Sequence, residues 1–208
     1  MIRQPNDLIR FTTPERVIHW TVAGSFVLLA LSGLAFFHPA FWPLTQFFGG
    51  GVWARILHPF IGILIAVAFC LEFLNLQRLN RLTPDDWAWI KRIREVLAGG
   101  AENLPLAGKF NGGQKLVFWA MSACIVLLLL SGLIMWRSYF TFPVTLVRMA
   151  AVVHAASGAL MIGLIIGHMY MAFWTKGALQ AMIYGTVSRA WALHHHEGWY
   201  REITGGRP

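Results

Sequence analysis

Four apolar runs divide this chain: residues 17–37, 52–76, 116–136 and 148–174. Each is close to, or above, the ~20 residues with which a helix crosses a bilayer, so each predicts a membrane span. In the connection 79–115, Thr83, Pro84 and Asp85 supply a cap, a first-turn proline and an acid. They predict a short helix running to about Leu97 and ended by Gly99-Gly100. Its mixture of Trp87, Trp89 and Ile90 with Lys91, Arg92 and Arg94 suits a helix lying on the inner membrane surface. Beyond Lys176-Gly177, residues 178–193 are apolar but interrupted by Gln180, Ser188 and Arg189. They read as an interfacial segment, with a partial fifth insertion as the alternative.

A weak repeat runs through the pattern. Leu31-Ser32-Gly33-Leu34 in the first run matches Leu130-Ser131-Gly132-Leu133 in the third, and His58-x-x-x-Gly62 in the second matches His154-x-x-x-Gly158 in the fourth. The chain thus reads as two helical hairpins in tandem. In this register Glu72 aligns with His168 and Phe118 with His19, so the repeat breaks at the inner end.

Composition sharpens the class. The sequence is 57% hydrophobic and only 12% charged, about half the charge fraction of a soluble domain. Its formal charge of +8 sits in the connections between spans, which makes it a topology signal rather than a nucleic-acid footprint. Fourteen of the seventeen Lys and Arg residues fall on one side, leaving Arg55, Arg137 and Arg148 on the other. The positive-inside rule makes the basic side cytoplasmic, with both termini there. Trp20, Phe36, Phe37, Trp42, Trp53, Trp136 and Trp174 at the run ends read as interfacial belts. The first run is longer than a signal-peptide core and lacks a small-residue cleavage site, so it is expected to be retained. Cys70 and Cys124 lie inside apolar runs and read as packing residues. No C-x-x-C-H occurs, so any haem would be held by ligation alone.

Histidines carry the candidate chemistry. His154 and His168 are fourteen residues apart on one run, which on a helix is about 21 Å of rise and within about 40° of one face. His58 lies at the outer level with His154; His19 lies at the inner level with His168. Two bis-histidine sites, His58/His154 and His19/His168, use all four, and neutral imidazole is an axial ligand for haem iron. Gly62 and Gly158, one turn from the outer histidines, leave room for a macrocycle; Gly33 and Gly132 offer the same elsewhere. Taken singly these small residues also read as helix-packing contacts, and a single intramembrane histidine as a hydrogen bond to its neighbour. Four at two matched depths point to function. Glu72, the one acid within the apolar runs, admits snorkelling to the interface or proton delivery. His38 reads as solvated in the outer loop, and His194-His195-His196 as a solvated basic end or a metal-binding tail. The expected fold is an all-α membrane protein. It is a four-transmembrane-helix bundle holding two b haems with short cytoplasmic interfacial helices, residues 1–208 forming one membrane cytochrome b domain.

With these residues in place the sequence resembles the cytochrome b (gamma) subunits of respiratory formate dehydrogenases. The likeness rests on Arg10-Phe11-Thr12, Pro14-Glu15-Arg16 and His19-Trp20; residues 54–60; Asn111 with Gly113-Gln114-Lys115 and Phe118-Trp119; Ser131-Gly132; and Trp199-Tyr200-Arg201-Glu202. Cytochrome b subunits of membrane hydrogenases and thiosulfate reductases share the four-helix, two-haem plan and form the alternative, beside a non-catalytic membrane anchor. The resemblance implies an inner-membrane subunit in anaerobic respiration. Formate is oxidised on a molybdenum or tungsten (alpha) subunit, and electrons arrive from an iron–sulfur (beta) subunit on the outer side. They cross from the outer haem to the inner one and reduce a quinone, menaquinone or ubiquinone, near the cytoplasmic face. Asn111 and Gln114 match the polar residues of the family's quinone pocket, and Gly112-Gly113 is a departure expected to loosen that loop. Few intramembrane charges and unbroken spans argue against a transporter.

Overall fold

The computed structural model describes residues 7–98 and 105–205, and these are mostly helical. In chain order come β1 (Leu8–Ile9), α1 (Thr13–Phe37), a 3₁₀ helix (Pro39–Phe48), α2 (Gly51–Leu76), α3 (Pro84–Lys91) and α4 (Ile93–Leu97). Then follow α5 (Gly112–Met135), α6 (Val144–Trp174), α7 (Ala178–Tyr184), β2 (Thr186–Val187), α8 (Arg189–His195) and α9 (Glu197–Thr204). The four expected spans are α1, α2, α5 and α6, each long and apolar enough to cross a membrane.

Several helices begin earlier than their apolar runs, because hydropathy marks lipid and capping marks the helix. Thr12 and Glu15 form a reciprocal box at the start of α1: Thr12 N–H donates to Glu15 Oε2 at 2.7 Å and Glu15 N–H to Thr12 Oγ1 at 3.5 Å. Pro143 precedes α6, and its carbonyl accepts from Val147 N–H at 3.1 Å. The connection after α1 is helical too. His38 caps the 3₁₀ helix, its Nδ1 accepting from Ala40 N–H at 3.2 Å, and its side chain is exposed as expected.

The chain divides into two compact units. One comprises Val17–Phe73 and Met121–His168, the middle of all four spans. Its buried positions are largely small, Ser25, Ser32 and Ala35 on α1, Ala54 and Ala68 on α2, Ala150 and Ser157 on α6. Small residues let helix backbones approach where lipid supplies no hydrophobic drive. Larger side chains close the interior at one level, where Cys124, Ile125 and Met161 pack with Phe26 and Phe69. Both cysteines are free, Cys124 buried and Cys70 exposed.

The second unit comprises Met1–Arg16, Leu74–Ala120 and Met169–Pro208. The helix expected to reach Leu97 unbroken is two helices. Thr83 and Asp86 form the expected cap, but Arg92 N–H closes back on Trp89 O at 3.1 Å, an i−3 bond that tightens the turn and ends α3. Gly99 and Gly100, the expected stop, lie outside the described residues. Nor is 178–193 one continuous element. Gly185, with φ 82°, turns the chain after α7, and a Cβ there would meet Phe11 O at 2.6 Å. β2 then pairs antiparallel with β1, Leu8 opposite Val187, and Ser188 caps α8. The tail has its own core of Ala181, Val187, Ala192, Trp199 and Tyr200, packed on Leu8, Phe11 and Trp191.

Candidate functional site

Within the unit formed by the span middles, the four histidines meet in two pairs. His58 on α2 faces His154 on α6 with ring centroids 6.2 Å apart and planes at 60°; His19 on α1 faces His168 on α6 at 6.3 Å and 56°. These are the pairings that depth predicts, and their geometry is nearly the same at both levels. A metal about 2.0–2.1 Å from each imidazole nitrogen, with each ring centroid about 1.1 Å beyond, would hold two rings about 6.3 Å apart.

Hydrogen-bond accounting decides which nitrogen is free. Ser32 Oγ lies 2.7 Å from His58 Nδ1 and donates its single proton to Leu28 O at 2.9 Å. With its proton so placed the hydroxyl can accept from His58 Nδ1–H, and in that tautomer Nε2 keeps a bare lone pair. Ser131 repeats this for His154: Nδ1 at 2.9 Å, with the hydroxyl proton given to Leu127 O at 2.5 Å. At the inner level Glu72 Oε1 stands 3.0 Å from His19 Nδ1. A carboxylate only accepts, so His19 too presents Nε2. Such outer-shell partners orient ligand imidazoles in metal sites.

The glycines divide by role. A Cβ at Gly33 would stand 3.8 Å from His58 Cε1, and one at Gly132 3.3 Å from His154 Cε1. Only at Gly132 is that approach tighter than ordinary contact, so there glycine makes room for the imidazole. At Gly62 a Cβ would meet nothing within 4 Å, and at Gly158 only Leu128 Cδ2 at 3.9 Å, so protein atoms do not crowd these positions one turn from His58 and His154. Phe36 packs edge-on against His58 at 5.7 Å and Trp20 against His19 at 5.7 Å. The donor set, spacing and clearance fit a bis-histidine haem at the outer level. The inner level offers the same donors at the same spacing.

Asn111 and Gln114 belong to the other unit, where they form a capping box at the start of α5. Asn111 N–H donates to Gln114 Oε1 at 3.0 Å and Gln114 N–H to Asn111 Oδ1 at 2.9 Å. The box engages the amide oxygens and not the amide nitrogens. The expected looseness of Gly112-Gly113 is absent, because both residues are in the first turn of α5. A Cβ at Gly112 would meet Asp86 O at 2.7 Å and one at Gly113 the Trp89 ring at 2.9 Å. Glycine serves here to let α3 press against α5. Lys115, on the next turn, is buried and bonds Asp86 Oδ2 at 2.7 Å and Arg81 O at 3.2 Å. Asp86 is held below the usual carboxylate range: bonds from Lys115 and Thr83 outweigh its desolvation, which is the largest single influence.

His196 corrects the reading of a solvated histidine tail. It is buried, with Nδ1–H donating to Gly108 O at 2.9 Å and Nε2 accepting from Arg10 Nη2 at 3.0 Å. Burial and the Arg10 charge push its pKa down to about 3. Arg10 is buried as well, between the Trp191 and Trp199 rings at 5.0 and 5.1 Å, and desolvation lowers its pKa to about 10. Among the described residues no three His, Cys, Asp or Glu side chains come together as a metal cluster. The serine and glutamate partners escaped the sequence reading, although the repeated Leu-Ser-Gly-Leu flagged both serines.

The family described as prokaryotic cytochrome b561 matches residues 10–185 of the chain. The sequence is 46% identical over 198 residues to the nitrate-inducible formate dehydrogenase cytochrome b556(Fdn) subunit of Escherichia coli K12, covering 94% of this chain and 91% of that protein. It is 41% identical over 204 residues to the formate dehydrogenase cytochrome b556(fdo) subunit of the same strain, at 97% and 96% coverage. The formate dehydrogenase cytochrome b556 subunit of Haemophilus influenzae is 40% identical over 203 residues, at 97% and 85%.

Proposed function

The chain belongs to the prokaryotic cytochrome b561 family, and we propose that it is the membrane electron-transfer subunit of a formate dehydrogenase complex in the bacterial inner membrane. Its similarity to three such subunits over nearly their whole length supports this reading. Its work is to carry electrons from an iron–sulfur subunit on the periplasmic side to a quinone reduced near the cytoplasmic face. Formate oxidation itself belongs to a molybdenum or tungsten subunit.

One observation carries the proposal: two histidine pairs, 6.2 and 6.3 Å between rings, three of whose four members have Nδ1 committed elsewhere and Nε2 free. His58 and His154 would hold one b haem, His19 and His168 a second. Bound haem supplies a one-electron ferric/ferrous couple at each level. Ser32, Ser131 and Glu72 keep the rings in the tautomer that can ligate. The amide nitrogens of Asn111 and Gln114 remain for a quinone carbonyl, their oxygens being used to cap α5.

Haem content tests the reading. The purified complex should contain two b haems per copy of this chain, reducible by formate, and His58→Ala or His154→Ala should remove one of them. Absence of a b-type band, or one haem per chain in the parent complex, refutes the two-site assignment. Asn111→Ala and Gln114→Ala should keep both haems and slow quinone reduction; unaltered quinone kinetics would remove the pocket.

A further inference from the structure

The two histidine pairs differ in the atoms behind them. At the outer level each ligand candidate leans on a neutral hydroxyl, Ser32 for His58 and Ser131 for His154. At the inner level His19 leans on the Glu72 side chain, 3.0 Å away, with its carboxyl side chain only 13% exposed. Glu72 lies near the inner end of α2, far enough along the helix that its side chain could have reached the interface. It turns instead to the imidazole.

We propose that Glu72 is a positioning residue for the inner site, acting through His19 to hold the inner haem at a lower reduction potential than a hydroxyl partner would. This rests on the two-haem reading above. If His19 binds iron through Nε2, its Nδ1 carries the proton and donates it to Glu72 Oε1, which sets the side chain of an acidic residue directly behind the ring. The anion makes the imidazole a stronger donor. Ferric haem carries one more positive charge than ferrous, so an anion close to a ligand in a poorly solvated site favours the oxidised form. Among the described residues the ring partners of the outer pair are the Ser32 and Ser131 hydroxyls and Phe36, all uncharged, and so the two levels become electrically unequal although their ring geometry is nearly the same. The sequence repeat marks the same position: Glu72 stands where the second hairpin has His168.

Potentiometric titration of the intact complex, followed in the b-haem absorbance, reads this directly. Glu72→Gln keeps an acceptor oxygen and removes the charge. Both haems should stay, and the component that survives in His58→Ala should move to higher potential. At the parent midpoint its reduced-to-oxidised ratio should rise from one to about ten, a shift of about 59 mV for a one-electron couple. The other component should not move. Glu72→Asp, which keeps the charge, should hold the inner component near its parent value. If Glu72→Gln instead loses the inner haem, Glu72→Asp decides: haem retained at the parent potential supports the assignment, and haem lost in both overturns it. Two haems with unchanged midpoints in Glu72→Gln also overturn it, as does an equal shift of both. Fewer than two haems in the parent complex is a different failure. It removes the two-site reading, and this inference with it.

Discussion

His58 is half-buried and His196 buried, and both set Nδ1 against an oxygen. They differ at the second nitrogen. His196 Nε2 accepts from Arg10 at 3.0 Å, whereas His58 faces another imidazole, His154, at 6.2 Å between centroids. Burial and a firm Nδ1 bond do not distinguish a ligand from a structural histidine. The free lone pair does, together with a partner ring at the distance of a shared metal.

The widest separation between the two should come from alanine. His58→Ala is expected to halve the haem content of the chain, measured as pyridine haemochromogen per protein, while His196→Ala leaves it unchanged. His196→Ala should act on stability instead. It strips a buried guanidinium of a partner, and a loss of about 3 kcal/mol is expected for a charged group left short of hydrogen bonds. Hydrogen exchange in β1, β2 and α8 would report it.

Acid should act on the same network. The folded-state pKa of His196 is about 3, below the ordinary 6.5, so the folded chain binds fewer protons than the unfolded one. Its contribution is complete above pH about 6.5 and is lost as pH falls toward 3, the loss reaching about 2 kcal/mol by pH 5. Protection of the tail amides should fall between pH 7 and 5, and His196→Gln should flatten that dependence.

The smallest effects belong to the serines and glycines behind the outer pair. Ser32→Ala or Ser131→Ala removes the acceptor that fixes the ring, and haem retention should weaken about tenfold, the lower end for an outer-shell partner. Gly132→Ala should disturb the site more than Gly33→Ala, because its added carbon would press on His154 at 3.3 Å rather than on His58 at 3.8 Å. The soret band of the outer component checks both.

Much of the membrane architecture was legible because lipid imposes a one-dimensional rule. A span must be about 20 apolar residues, and four runs of that kind became α1, α2, α5 and α6. Helical spacing along α6 then set the two levels, since His154 and His168 share one rigid rod. The unit that holds the chain's ends was less legible. Residues 178–193 read as one apolar stretch, yet Gly185 breaks it so that β2 can pair with β1, a partner almost the whole chain away. Gly112-Gly113 looked like slack in a loop and is instead the place where α3 meets α5.

The sequence by itself determined where the four long apolar helices run and how far apart His154 and His168 stand along α6, because hydropathy and helical rise are local. Only the tertiary structure decided what stands behind each ring. Ser32 reaches His58 across 26 residues, Ser131 reaches His154 across 23, and Glu72 reaches His19 across 53. No local pattern encodes such contacts; they exist because α1 packs beside α2 and α5 beside α6, and that packing sets which ring nitrogen is engaged.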